Sequence, residues 1–282
     1  MPDFTFPLNE IYVAYGDGSS GEVGTFYGLV LVPVSRLDEI ESQLQEIKVH
    51  HGGQKGWIVH AREIFCEHAR AKSVWAHLSY EGAVSLCGDI LNAVSTFEPK
   101  YLMSFIPKSH YPKRFRLKGK NGHQDLVHDV NDKWLQLWAY FRVGGLLDPC
   151  NRIEPDDSTI KLRPKNLPFW NMVIRRTDPG LRVQKVYLDR ENTKITWFSK
   201  SLQWISVAKE LVIENVEGST YLPIVHATDY KPMMLDVADV FTYSITREFS
   251  GDKSIDYCNY CGEVFIDVLP KYEEEIVLGG WS

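Results

Sequence analysis

The segment Ile11-Tyr-Val-Ala-Tyr15-Gly-Asp17-Gly-Ser-Ser-Gly21, followed by Thr25-Phe-Tyr-Gly-Leu-Val-Leu-Val-Pro-Val34, decides the fold. Residues 11–15 form a short β-rich run, and residues 16–21 read as a glycine- and serine-rich turn carrying Asp17. Residues 25–34 form a second, longer β-rich run. Two such runs across a Gly/Asp/Ser turn predict an antiparallel hairpin.

Helical and extended patterns alternate outward from that hairpin. Ser35 reads as the cap of a helix running to about Lys48, with Asp38 at the capping-box position. Leu37, Ile40, Leu44 and Ile47 give that helix its apolar stripe. A loop over 50–56, a short strand over 57–59 and a helix over 61–70 follow. Ser79 caps a stronger helix with Ala83, Val84, Leu86, Cys87, Ile90, Leu91 and Val94 on its apolar face. Residues 101–106 read as a buried strand and 126–143 as a Trp- and Leu-rich helix. Residues 144–168 form a long connection of low periodicity. Strands are expected at 169–174, 183–188, 211–213, 221–225 and 264–268, with a helix at 199–209. A late apolar helix opens after Pro232 and runs to about Arg247. An antiparallel start followed by alternating strands and helices implies an α/β fold with a mixed sheet and helices on both faces. The expected organisation is one domain over 1–282. It carries an inserted basic and helical segment at about 108–170 and a C-terminal extension at about 250–282.

The chain has 282 residues, 44% hydrophobic and 24% charged, which is ordinary globular composition with ample length for a core. A net charge of -6 gives no whole-protein signal for nucleic acid, and leaves room for a local basic patch. The first residues have no basic and apolar leader pattern, and no run of about eighteen apolar residues occurs. Five scattered cysteines suit a reduced chain. The expectation is a cytoplasmic protein without a membrane partner.

The chemistry lies in the acids. Asp239 sits between Ala238 and Val240 on the apolar late helix, where an unpaired carboxylate is costly to bury. Asp236, three residues earlier, falls on the same helix face. Asp17 follows the first β-rich run, Asp189 ends Val186-Tyr-Leu188, and Glu63 lies in His60-Ala-Arg-Glu63. Carboxylates at the ends of neighbouring strands and on a packed helix suit two magnesium ions about 4 Å apart, which activate water and neutralise a leaving oxygen. That layout is one of a ribonuclease H-like site. Taken singly, Asp17 and Asp189 also fit ordinary turn and strand-end roles.

The same stretches resemble the domain-of-unknown-function 3800 family. They are Tyr15-Gly-Asp17-Gly-Ser-Ser-Gly21, His60-Ala-Arg-Glu63-Ile, Val186-Tyr-Leu-Asp189 and Met234-Leu-Asp-Val-Ala-Asp239-Val-Phe-Thr-Tyr. The resemblance spans residues 11–249 and implies a ribonuclease H-like fold. It also implies a site of Asp17, Glu63, Asp189 and Asp239 holding magnesium or manganese, with Asp236 as an outer ligand or network member. The sequence departs from the family at Gly18, where many members have Glu, and in the extra Ser20. Glu67, one turn beyond Glu63, competes for that position.

His60 is a candidate auxiliary group, as a partner of a ligand or a proton carrier, or else a histidine that merely packs. His226 stands in the same position. Lys108, Lys113, Arg114, Arg116, Lys118 and Lys120 put six cations into 13 residues beside Tyr111 and Phe115. Such a run suits phosphate contacts and base stacking, or is a solvated basic loop. Lys108 is in addition a candidate partner for a transferring phosphate. Cys258 and Cys261 lack the second pair that structural zinc needs, and no Gly-Lys-Ser/Thr completes a P-loop. The first expectation is a metal-dependent nuclease or related phosphoryl-transfer enzyme. The alternatives are a non-catalytic nucleic-acid- or protein-binding regulatory or defence protein, and a nucleotide or small-molecule hydrolase.

Overall fold

The computed structural model describes residues 10–119, 124–145, 182–189, 224–227, 232–252, 254–261, 264–269, 271 and 274–281. β1 (Ile11–Ser20) and β2 (Gly24–Pro33) form the expected hairpin, and both strands run further into the glycine stretch than its composition suggests. Asp17 is inside the ladder, opposite Gly28, rather than in the turn. The turn itself is Gly21 to Gly24, closed by the Gly21 N–H donating to the Gly24 carbonyl at 2.9 Å. A Cβ at Gly24 would sit 2.2 Å from the Ile106 carbonyl oxygen, so the hairpin can close against the next strand only with glycine there.

The helical elements are α1 (Leu37–His50), α2 (Ala61–Phe65), α3 (Glu67–Arg70), α4 (Tyr80–Ser95), α5 (Asp132–Gly145), α6 (Met234–Phe249) and α7 (Tyr257–Cys261). The remaining strands are β3 (Lys100–Pro107), β4 (Arg114–Gly119), β5 (Leu126–Asp129), β6 (Arg182–Asp189), β7 (Ile224–Ala227), β8 (Val264–Val268) and β9 (Glu275–Trp281). The main sheet has the order β7-β6-β1-β2-β3-β8. β1, β2 and β3 are an antiparallel meander, β6 and β7 run parallel to β1, and β8 runs parallel to β3. The mixed α/β architecture read from the sequence is therefore present.

Strand alternation assigns the two faces. Val13, Tyr15, Phe26, Val30, Val32, Tyr101, Met103 and Phe105 share one face, and share a buried core with residues of α1, α4 and α6. Leu29, Leu31, Leu102 and Ile106 lie on the other, which α5 covers through Leu135, Ala139 and Val143. The Tyr27–Tyr140 ring contact at 5.2 Å marks that second face.

Several local expectations change. Ser79 does cap α4, its Oγ accepting from the Gly82 N–H at 3.1 Å. Ser35 does not cap α1: a 3-10 turn (Val34–Arg36) intervenes, and the Ser35 hydroxyl donates to Glu10 instead. Residues 57–59 are not a strand, and the Val59 N–H donates to the Asp236 carboxylate rather than to a strand neighbour. The 61–70 helix is broken at Cys66 into α2 and α3. Residues 126–129 are a strand, with helix only from Asp132. Of the strand expected at 221–225, residues 224 and 225 lie in β7 (Ile224–Ala227), and 221–223 lie outside the described residues. The 144–168 connection, the strands at 169–174 and 211–213 and the helix at 199–209 lie outside the described residues, 144 and 145 excepted.

The basic run is the largest change. Residues 114–119 are β4, the middle strand of a second sheet ordered β5-β4-β9. Its parallel neighbour β9 comes from the acidic tail. Among the described residues, no helix is long and apolar enough to cross a membrane.

Candidate carboxylate site

α6 is buried on nearly every side, so each of its acids needs a partner. Asp236 is 2% exposed, and its Oδ2 accepts from the Lys48 ammonium at 2.6 Å. Lys48, also 2% exposed, continues the α1 stripe four residues after Leu44. The same Asp236 oxygen accepts the Val59 N–H at 3.0 Å. One turn on, Asp239 is 5% exposed, and its Oδ2 accepts the Ala61 N–H at 2.9 Å. The His60 Nδ1 lies 3.1 Å from that oxygen, while the His60 side chain is 46% exposed. Two carboxylates spaced for one helix face thus bind the N–H groups on either side of His60, whose own backbone is extended. The Trp75 indole N–H donates to the Ile58 carbonyl at 2.9 Å and holds the segment from the turn between α3 and α4.

Asp17 comes to the same side of the sheet. Its cross-strand partner Gly28 faces α6, since a Cβ there would stand 2.3 Å from the Thr242 hydroxyl and 3.0 Å from the Phe241 ring. The Thr242 hydroxyl also makes a long, 3.4 Å hydrogen bond to the Asp17 carbonyl. Thr242 follows Asp239 by three residues, a rise of about 5 Å along the helix. The Asp17 side chain accepts the Gly18 N–H through Oδ1 at 2.8 Å. Asp189 closes β6, and follows Leu188 as Asp17 follows Gly16, its paired residue. Its backbone position is therefore beside Asp17, and its side chain lies outside the described residues.

Glu63 is exposed on α2, two residues beyond the N–H that Asp239 holds, and Glu67 is exposed on α3. Neither has a described contact with Asp17 or Asp239. Among the described residues, no three His, Cys, Asp or Glu groups lie close enough together to hold a metal. Asp17 and Asp239 supply the hard oxygen donors that magnesium and manganese take, from one side of the sheet. A third donor from this sheet edge would come from Asp189. Asp236 has the network role of its two candidate roles, with its Oδ2 shared by Lys48 and Val59.

Lys113, Arg114 and Arg116 stand beside acids. Lys113 pairs with Glu274 at 2.7 Å, and Arg116 pairs with Glu275 at 3.0 Å and Asp125 at 3.3 Å. Arg114 stands opposite Asp129 on one side and Glu275 on the other. The Lys113 ammonium holds the Glu274 carboxyl below its ordinary value, and Glu275 with Asp125 raises Arg116. Lys108 is exposed in a 3-10 turn (Lys108–His110). The Lys118 side chain and all of Lys120 lie outside the described residues, as does the His226 side chain. Cys66, Cys87 and Cys261 are free thiols. Burial, with the Asp239 charge nearby, pushes the Cys87 thiol far up.

No family model, no curated protein and no solved structure matches the chain.

Proposed function

We propose that the chain is a magnesium- or manganese-dependent phosphoryl-transfer enzyme, a nuclease in the first instance, on a ribonuclease H-like core. The observation that carries this reading is the arrival of Asp17 and Asp239 on one side of one sheet, joined through Thr242. An antiparallel meander extended beside β1 by two parallel strands supports the same core, and so the resemblance to the domain-of-unknown-function 3800 family. Asp17, Asp189 and Asp239 are the proposed ligands, with Glu63 at the rim. Bound metal would supply an activated water and charge neutralisation at the leaving oxygen.

The chain's own residues do the rest. Asp236 and Lys48 anchor Val59, Asp239 anchors Ala61, and His60 is presented between them with its ring toward solvent. An exposed imidazole beside the carboxylate is suited to carry a proton to or from bulk water. A reduced, cytoplasmic setting agrees with the free thiols.

The test is cleavage of single- and double-stranded DNA and RNA with each metal. The expected result is metal-dependent cleavage that falls at least a hundredfold in Asp17→Asn and in Asp239→Asn. Absence of cleavage with both metals, or full activity in both variants, would contradict it. One observation favours a second reading, a nucleotide or small-molecule hydrolase: Lys113 and Arg116, cations that would guide a polymer, are paired with acids. A thermal shift with nucleotides and none with oligonucleotides would support that reading. Nucleic-acid or protein binding that survives loss of Asp17, Glu63, Asp189 and Asp239 would point instead to a regulatory or defence protein without catalysis.

A further inference from the structure

The segment from Lys55 to Arg62 borders the carboxylate site and carries Lys55, Trp57, Ile58, His60 and Arg62. Lys55, Ile58, His60 and Arg62 are exposed, and Trp57 is half-buried. Trp57 meets the Trp75 ring edge-on at 5.2 Å, so one indole is braced by another. Among the described residues, Lys55 and Arg62 form no ion pair, in contrast to Lys113 and Arg116. Arg62 follows Ala61, whose N–H Asp239 holds, so its backbone position is beside α6. The backbone between these side chains is fixed by Trp75 at Ile58, by Asp236 at Val59 and by Asp239 at Ala61.

We propose that this strip is a single-stranded nucleic-acid contact surface, feeding the strand past His60 to Asp239. The inference rests on the carboxylate site proposed above and names its substrate class. Three physical features favour a single strand. Exposed cations on either side of His60 in the chain are available for phosphates, and each such contact adds salt-dependent affinity. A braced aromatic beside them offers a stacking platform to an unpaired base. A backbone already held by hydrogen bonds at Ile58, Val59 and Ala61 loses little freedom on binding. The strip was masked in the sequence by the denser basic run at 108–120, in which Lys113 and Arg116 are paired with Glu274, Asp125 and Glu275.

The experiment is fluorescence anisotropy with a labelled 12-nucleotide oligodeoxythymidylate, in EDTA so that cleavage plays no part. The double variant Lys55→Ala/Arg62→Ala changes only exposed side chains, and its fold is checked by its melting temperature. Binding is expected to weaken at least tenfold in it, with the slope of log affinity against log salt reduced by about 1.4 for two lost phosphate contacts. Lys113→Ala/Arg114→Ala is expected to bind within twofold of the unaltered chain. The inference is overturned if the unaltered chain does not bind, if it prefers a duplex, or if the β4 variant loses as much as the strip variant. Strip-dependent binding without any metal-dependent cleavage would sink the nuclease reading and leave this surface standing. Oligonucleotide cleavage that the strip variant leaves unchanged would do the reverse.

Discussion

Asp236 and Asp239 are the same side chain, three residues apart, and the fold gives them different surroundings. Asp236 is closed in with Lys48, so removing the cation alone strands a buried carboxylate. Lys48→Met is expected to cost about 3–5 kcal/mol in urea unfolding. Lys48→Met/Asp236→Asn removes both charges and keeps an acceptor for the Val59 N–H, so it is expected to recover most of that loss. A double variant no more stable than the single one would deny the pairing. Asp239 separates structure from chemistry by the choice of substituent. Asp239→Asn keeps an acceptor for the Ala61 N–H and is expected to stay within about 1 kcal/mol of the unaltered chain. Asp239→Ala leaves that N–H unsatisfied and is expected to lose about 1–3 kcal/mol. The need of Asp239 for a partner was legible, because an acid between Ala238 and Val240 has no cheap alternative. The backbone N–H partners were not, since no side-chain pattern records a main-chain donor. Lys48 did leave a signal: it falls four residues after Leu44, on the apolar stripe, where only a paired cation can be buried.

At the scale of elements, the contact of α6 with the hairpin sets the site. Gly28 has room for a hydrogen and nothing more against Thr242. Gly28→Ala is expected to lower stability by about 1–3 kcal/mol through overpacking and to move α6 off Asp17. An unchanged melting temperature in that variant would contradict the close approach. The far end of α6 is tied by Arg247, whose guanidinium bonds Asp252 and lies 4.4 Å above the Phe65 ring. Burial raises the Asp252 carboxyl, but the Arg247 and Ser254 hydrogen bonds outweigh it and hold the group below its ordinary value. A depressed folded pKa means that the contribution is present above the unfolded value of about 3.9 and is lost as pH falls through the lower folded one. Asp252→Asn is therefore expected to flatten the acid limb of stability below about pH 4, measured by urea unfolding across pH. An unaltered acid limb would rule the linkage out. Helices were read well where apolar spacing was strong, as in α1, α4 and α6. Residues 114–119 were misread as a loop because cations on one face of a strand look like a solvated run until their acids are known, and those acids arrive from Glu274 and Glu275.

The whole molecule joins segments that are far apart in sequence. The main sheet gathers strands from residues 11 to 268, and the second sheet pairs residues 114–119 with 275–281. The hairpin and the strand–helix alternation were enough to foresee a mixed α/β sheet. The second sheet was not foreseen, because parallel pairing between remote strands has no local turn to announce it. The same distance dependence applies to the site. Asp17, Asp189 and Asp239 were nameable one at a time; the β1–β6 register sets Asp189 beside Asp17, the Thr242 contact sets α6 against Asp17, and the proposed site supposes that the three carboxylates converge. The most direct test of that convergence is manganese binding by isothermal titration calorimetry. The unaltered chain is expected to bind the ion, and Asp17→Asn and Asp239→Asn each to weaken it at least tenfold while unfolding as the unaltered chain does. No binding by the unaltered chain, or equal affinity in both variants, would contradict a shared carboxylate site.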